Sequence, residues 1–172
     1  MLAIAAAGLV GVLVFLAGAR SPRDEQRIQT QFDDLATDLS VTGHETDLVQ
    51  AARASRLRRY FLEEVQIDLG EEDASIDGLS ALIATAAKFE IPSGGIQVAF
   101  VDVRIKIEKD QAHANAVTTV RATRVSPADG KREVDAREMI FTLERRSEFW
   151  MISRVAPVDT LERVGESASG GS

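Results

Sequence analysis

Three carboxylates, one phenol and two imidazoles are the groups in this chain best suited to acid–base chemistry. Asp102, Asp135 and Glu138 fall in stretches of alternating apolar and polar residues, "VDVRIKI" and "DAREMIF", the pattern of half-buried strands. A carboxylate acts as general base when burial brings its pKa toward the operating pH. Each of these three has an arginine one or two residues away, Arg104 or Arg137, and a neighbouring cation favours the ionised form. That chemistry gives a weak base and a good ion pair. Asp102 shares its parity with Arg104 and Lys106 and is expected to face solvent. Asp135 shares its parity with Arg137, Met139 and Phe141. It therefore forms either a buried pair with Arg137 or an ion pair at the rim of an apolar layer. Tyr60, the only tyrosine, can point inward from a helix, but neither His44 nor His113 accompanies it. The catalytic candidates are Asp135, Asp102 and Tyr60.

Other chemistries lack their residues. The chain has no cysteine, which excludes a disulfide framework, a thiolate metal site and a thiol nucleophile. It has no His/Asp/Glu cluster at metal spacing, no nucleophile elbow, no glycine-rich phosphate loop and no dinucleotide fingerprint. No metal and no cofactor are expected. The formal charge of −7, from 27 acidic against 20 basic residues, repels phosphate backbones and disfavours nucleic acid as a partner. Acidity concentrates between Glu63 and Glu90. Arg53, Arg56, Arg58 and Arg59 could together hold an anion; the simpler expectation is a solvated face paired with that acidic segment.

The elements that position these groups follow from periodicity. Residues 1–20 carry an unbroken apolar run, Leu2 to Ala19, which at about 1.5 Å per residue approaches the roughly 30 Å hydrocarbon core. It reads as a transmembrane anchor. Ala17-Gly18-Ala19 also suits a signal-peptide cut, but the length of the run and the lack of a preceding Lys or Arg favour retention. The expected location is a single-pass inner membrane with the domain exported to the periplasm; secretion after cleavage is the alternative. Arg20, Arg23 and Arg27 follow the run and oppose export by the positive-inside rule.

Residues 21–162 read as one domain. Ser21-Pro22 opens a helix with Ile28, Phe32, Leu35 and Leu39 on one stripe. Thr42 and Glu45 resemble a capping box for a second helix through "ETDLVQAARASRLRRYFLEE", with Leu48, Ala51, Ala52, Ser55, Tyr60 and Phe61 on its inner face. "EVQIDLG" is a short strand with Val65, Ile67 and Leu69 inward. A turn at Asp77-Gly78 leads into a third helix with Leu79, Leu82, Ile83 and Phe89 inward. From Ile96 the period changes to two. Four long strands follow as an antiparallel meander, the first with Val101, Val103, Ile105 and Ile107 inward. The polar tail, residues 163–172, suits disorder.

This order, together with "LEEVQIDLG…ASIDGLSALIATAAKF" and the closing "FWMISRVAPV", resembles the NTF2-like superfamily, also called SnoaL-like or cystatin-like. Arg27, Ile28, Gln31 and Phe32 are similar to the opening helix of its membrane-anchored bacterial members. The resemblance implies an α+β fold: about three helices packed on a curved, mainly antiparallel sheet that encloses a cone. It implies a pocket lined by Tyr60, Phe100, Met139, Phe141 and Trp150, a small apolar ligand, and a homodimer through the sheet. Enzymes of the superfamily place a carboxylate base deep in the cone, some with a phenol and a protonated acid as oxyanion donors. Two functions follow. The favoured one is a membrane-tethered, non-catalytic module for ligand binding or protein assembly. The alternative is a small isomerase, dehydratase or hydrolase using a cone carboxylate as general base. A cone filled by Phe100, Met139 and Phe141 favours the module.

Overall fold

The computed structural model describes residues 22–70, 75–126 and 130–158. The apolar run, the polar tail and residues 127–129 of the turn "SPADGK" lie outside the described residues. Among the described residues no helix is long and apolar enough to cross a membrane.

The first helix, α1 (Pro22–Leu39), has Asp24 and Glu25 in its first turn, where they meet the positive end of the helix dipole. Its stripe is as expected: Ile28, Phe32 and Leu35 are buried and Leu39 packs on the core. The second, α2 (Asp47–Arg56), is capped by Thr46, whose hydroxyl accepts from Val49 N at 3.4 Å. Thr42 and Glu45 are not its capping box. Its inner face is also different from the expected one. Ala54 and Leu57 are buried, with Arg53 beside them, while Leu48 is 81% exposed and Ala51, Ala52 and Ser55 do not form the buried face. The chain leaves α2 through a 3₁₀ turn (Leu57–Arg59) and becomes strand β1 (Phe61–Asp68) at a point where a continuing helix was expected. The apolar Phe61, Leu62 and Val65 are captured by the sheet: Ile152 N donates to the carbonyl of Tyr60 at 2.7 Å. Leu69, expected inward, lies past the end of β1 and is exposed.

A short strand β2 (Ser75–Asp77) pairs back on β1 and leads into α3 (Leu79–Lys88). Leu79 is buried and Leu82 and Ile83 pack on the core. Phe89 does not join them. The helix stops at Lys88, Phe89 is extended, and its side chain is exposed.

The meander follows as β3 (Ile96–Ile107), β4 (His113–Val125), β5 (Arg132–Arg146) and β6 (Phe149–Pro157). Among the described residues six strands lie in the order β2-β1-β6-β5-β4-β3, and only β1 and β6 run parallel. The three helices cover one face, and α1 crosses to β3. There Val41 exchanges two backbone hydrogen bonds with Ile96, at 2.7 and 2.8 Å, and Ser40 Oγ accepts from Val98 N at 2.9 Å.

Strand β3 carries a bulge. The register passes from Val101↔Thr119 to Arg104↔Val117, so Asp102 and Val103 together oppose Thr118. Asp102 adopts φ 56°, and the Thr118 hydroxyl donates to the Val101 carbonyl at 2.8 Å. The bulge reverses the parity of the strand. Phe100 packs inward on one side, and Val103, Ile105 and Ile107 on the other, while Val101 is not among the side chains packed on the core. A strict period of two wrongly places Val101 with them.

The interior is closed by aromatic contact. Phe32, Phe100 and Phe141 are mutually tilted or edge-on, with centroids 5.0, 5.1 and 5.7 Å apart. Met139, Leu143, Ile152 and Trp150 complete the cluster around them.

Candidate functional site

The residues with catalytic potential are not brought together. Asp102 sits exposed in the β3 bulge. Asp135, opposite Ala122 on β5, is exposed too, with β4 between them. Asp135 does share the inner parity with Arg137, Met139 and Phe141, but β5 is exposed from Arg132 to Glu138 and buried only from Met139 on. Arg137 is spent on the Leu69 carbonyl. Glu138 accepts from Arg104 across the sheet at 2.6 Å. The expected ion pairing thus holds for Glu138, and with the arginine of β3.

Tyr60 lies at the end of the 3₁₀ turn and not on a helix. It is buried, and its hydroxyl donates to Oδ2 of Asp38 at 2.7 Å. The same carboxylate accepts from Arg56 Nε at 2.8 Å and Arg59 Nη2 at 3.0 Å. Burial, then the hydrogen bond and charge of Asp38, push the phenol up to about 12. Burial would also raise Asp38, but the hydrogen bonds from Tyr60 and Arg56 and the charges of Arg56 and Arg59 outweigh it. Its carboxyl titrates below its ordinary value. A phenol that holds its proton so firmly is suited to fixing α1 on the 3₁₀ turn.

The arginine cluster is thus divided. Arg53 pairs with Glu45 at 3.0 Å, and Arg56 and Arg59 with Asp38 on α1. None of the three uses the acidic segment 63–90. Arg58 has no ion pair among the described residues.

A groove of about 960 Å³ opens along the flank of α1. Helix α1 contributes Arg23, Gln26, Arg27, Thr30, Gln31 and Asp34; the 3₁₀ turn gives Arg58, Arg59 and Tyr60; and the hairpin gives Glu148 to Met151. Of the five side chains expected to line a pocket, Tyr60 and Trp150 line this groove. Phe100, Met139 and Phe141 belong to the closed aromatic cluster, which Tyr60 and Trp150 also border. Arg145 spans from the Trp150 ring, 5.9 Å away, to Asp24, whose Oδ2 lies 3.2 Å from its Nη1. Sequence reasoning missed Gln31 and Phe149 as groove residues; it grouped Arg58 with Arg53, Arg56 and Arg59 as a possible anion site, and of these four Arg58 and Arg59 line the groove. The signal available was Phe149 itself, an apolar residue directly after a charged turn.

A family model described as "SnoaL-like domain" matches residues 46–156. Aln2 from a Streptomyces species superposes with a TM-score of 0.60 at 14% identity, over 79% of this chain and 90% of its own. An NTF2-like protein with a cystatin-like fold from Novosphingobium aromaticivorans gives 0.55 at 19%, over 88% and 89%. A hexachlorocyclohexane dehydrochlorinase from Novosphingobium barchaimii gives 0.57 at 13%, over 79% and 86%. No curated protein matches the chain. At these identities the solved structures establish the fold, and the family model covers more than half of the chain. With its helices on one face of a curved six-stranded sheet, the chain belongs to the SnoaL-like family of the NTF2-like superfamily.

Proposed function

We propose that this domain is a non-catalytic NTF2-like module for ligand binding or protein assembly, tethered to a membrane by Leu2–Ala19. The observation that carries the reading is the Phe32–Phe100–Phe141 contact. Three rings meet where an enzyme of this fold needs an open chamber with a base inside. The strand carboxylates support it, since all three are exposed and Glu138 is ion-paired. The outer face of the sheet supports assembly. There Val117, Ile140 and Ala156 stand in one row across β4, β5 and β6, a strip suited to a second copy of the chain.

The test of the packed cone is the methyl resonance of Met139 in full-length protein titrated with phenol-sized and steroid-sized apolar probes. No saturable shift is expected. A saturable shift with either probe would restore the chambered, enzymatic alternative. Retention in the membrane pellet through a carbonate wash tests the tether, and sedimentation at micromolar concentration tests the pairing.

A further inference from the structure

Phe149 stands bare at the tip of the β5–β6 hairpin. It is 72% exposed, while Trp150 beside it is buried. It pairs with Arg146 across the two-residue turn Ser147-Glu148. A single exposed apolar side chain is ordinary on a protein surface. What sets Phe149 apart is the place where the fold holds it. Arg145 Nη1 lies 3.2 Å from Asp24 Oδ2, which fastens the hairpin tip to the first turn of α1, and Arg23, Glu148 and Phe149 line one groove. The apolar run ends at Ala19, three residues before Pro22, a path of at most about 11 Å. A bilayer that holds Leu2–Ala19 therefore ends close to the first turn of α1 and to the tip fastened to it.

The side chains around the tip suit such a surface. Arg23 is exposed and has no ion pair among the described residues. Arg146, opposite Phe149 in the hairpin, is exposed between Glu64 and Glu144. Glu25 and Glu148 offset part of this charge, so the aromatic ring has to supply the attachment and the arginines its flank. Aromatic rings seat at the headgroup level of a bilayer, and long basic side chains reach the phosphates while their stems stay against the apolar layer.

We infer that the β5–β6 hairpin tip is a second membrane contact, with Phe149 seated among the lipid headgroups and Arg23 and Arg146 turned to their phosphates. Two attachments fix the orientation of the domain, where the linker alone would let it rotate. Helix α1, 18 residues long and thus about 27 Å, then carries the opposite end of the domain away from the surface. Phe89 lies at that end, where its carbonyl accepts from Gln50 Nε2 at 2.6 Å. The inference rests on the tethered-module reading and adds the face that the module turns to the bilayer.

The chain has no cysteine, so one introduced thiol carries a fluorescent probe at one place. Ser147→Cys marks the tip and Glu90→Cys the opposite end, both at exposed positions. Each labelled full-length protein is reconstituted in phosphatidylcholine–phosphatidylglycerol vesicles, with and without lipid that is spin-labelled near the headgroup. The probe at position 147 should be quenched by the spin label and its emission shifted to the blue; the probe at position 90 should show neither. Adding Phe149→Ser, at an exposed position outside the core, should bring quenching at 147 down to the level at 90 while the protein stays in the vesicle fraction. Equal quenching at the two positions, or quenching at 147 that Phe149→Ser leaves unchanged, would overturn the inference. Protein recovered outside the vesicle fraction would sink the tether and this contact together. Protein retained there with an unquenched probe at 147 would sink the contact alone.

Discussion

The hydroxyl of Tyr60 and Oδ2 of Asp38 lie 2.7 Å apart, joining the turn before β1 to the last turn of α1. Tyr60 is the only tyrosine, so its ionisation can be followed by absorbance. The folded pKa of about 12 lies above the ordinary value of 10.0. The stability it contributes is therefore complete below pH 10 and is lost as pH rises toward 12. Asp38→Asn should lower the phenol pKa but leave it above 10.0, because burial remains. A phenol unmoved by that substitution would show that the carboxylate does not hold the proton.

The β3–β4 turn holds a second titrating pair. Asp110 Oδ1 accepts from the backbone N–H of Ala112 at 2.9 Å and of His113 at 3.1 Å, and its Oδ2 lies 2.5 Å from His113 Nδ1. The hydrogen bond and charge of Asp110 raise His113 above 6.5, and the hydrogen bond from His113 lowers Asp110 below 3.8. The contribution of His113 is complete below pH 6.5 and fades as pH rises through its raised pKa. That of Asp110 is complete above pH 3.8 and fades as pH falls through its lowered one. In an NMR titration, Asp110→Asn should bring His113 back toward 6.5. No change would mean that the pair does not form in solution.

The bulge makes two neighbouring valines unequal. Val103→Asp introduces a charge against the core and should cost about 3–5 kcal/mol, while Val101→Asp should cost about 1 kcal/mol. Asp102→Gly, which relieves a left-handed residue at φ 56°, should be neutral or stabilising by up to about 1 kcal/mol. Urea denaturation ranks the three. Equal costs at 101 and 103 would mean that the parity does not switch.

Gly95 has φ 80°, and a Cβ there would overlap the Val41 carbonyl oxygen. A Cβ on Gly43, at φ 105°, would meet nothing within 4 Å. Gly95→Ala should therefore cost about 2–4 kcal/mol and Gly43→Ala about 1 kcal/mol, the difference being the clash with backbone. Thermal unfolding compares them directly, and similar losses would remove the clash from the account.

Element order was legible in the sequence because long apolar stripes and alternations are local properties. The stripe Ile28–Phe32–Leu35 and the four-strand meander follow directly from them. What failed depended on partners distant in the chain. The inner face of α2 could not be read because Ala, Ser and Arg positions carry little apolar contrast, and Arg53 is buried only because Glu45 meets it. The end of the α2 segment at Tyr60 depends on Ile152, far along the chain in the last strand. The parity switch in β3 leaves one trace, an aspartate between two valines, which alternation alone reads as an outward polar residue. For the site, the outward face of Asp102 was legible from its parity with Arg104 and Lys106, but the partners of the arginines were not: Arg104 reaches Glu138 across the sheet and Arg137 the Leu69 carbonyl. The groove was not legible either, because it joins a helix flank, a turn and a hairpin tip whose proximity no local pattern encodes.

Helix α1 is fastened at both ends to different strands: Asp24 to Arg145 of β5 near its start, and the Ser40–Val41 segment to β3 just past its end. This arrangement has a mechanical consequence. Tension applied through the chain ahead of Pro22 enters at the first turn of α1, where Asp24 passes the load to the β5–β6 hairpin before the helix can peel. The ion pair and the stacked Arg145–Trp150 contact act as the first latch. The Ser40–Val41 stitch at the opposite edge acts as the second. A domain pulled from its N-terminus should thus yield in two steps, and Arg145→Ala should remove the first without moving the second.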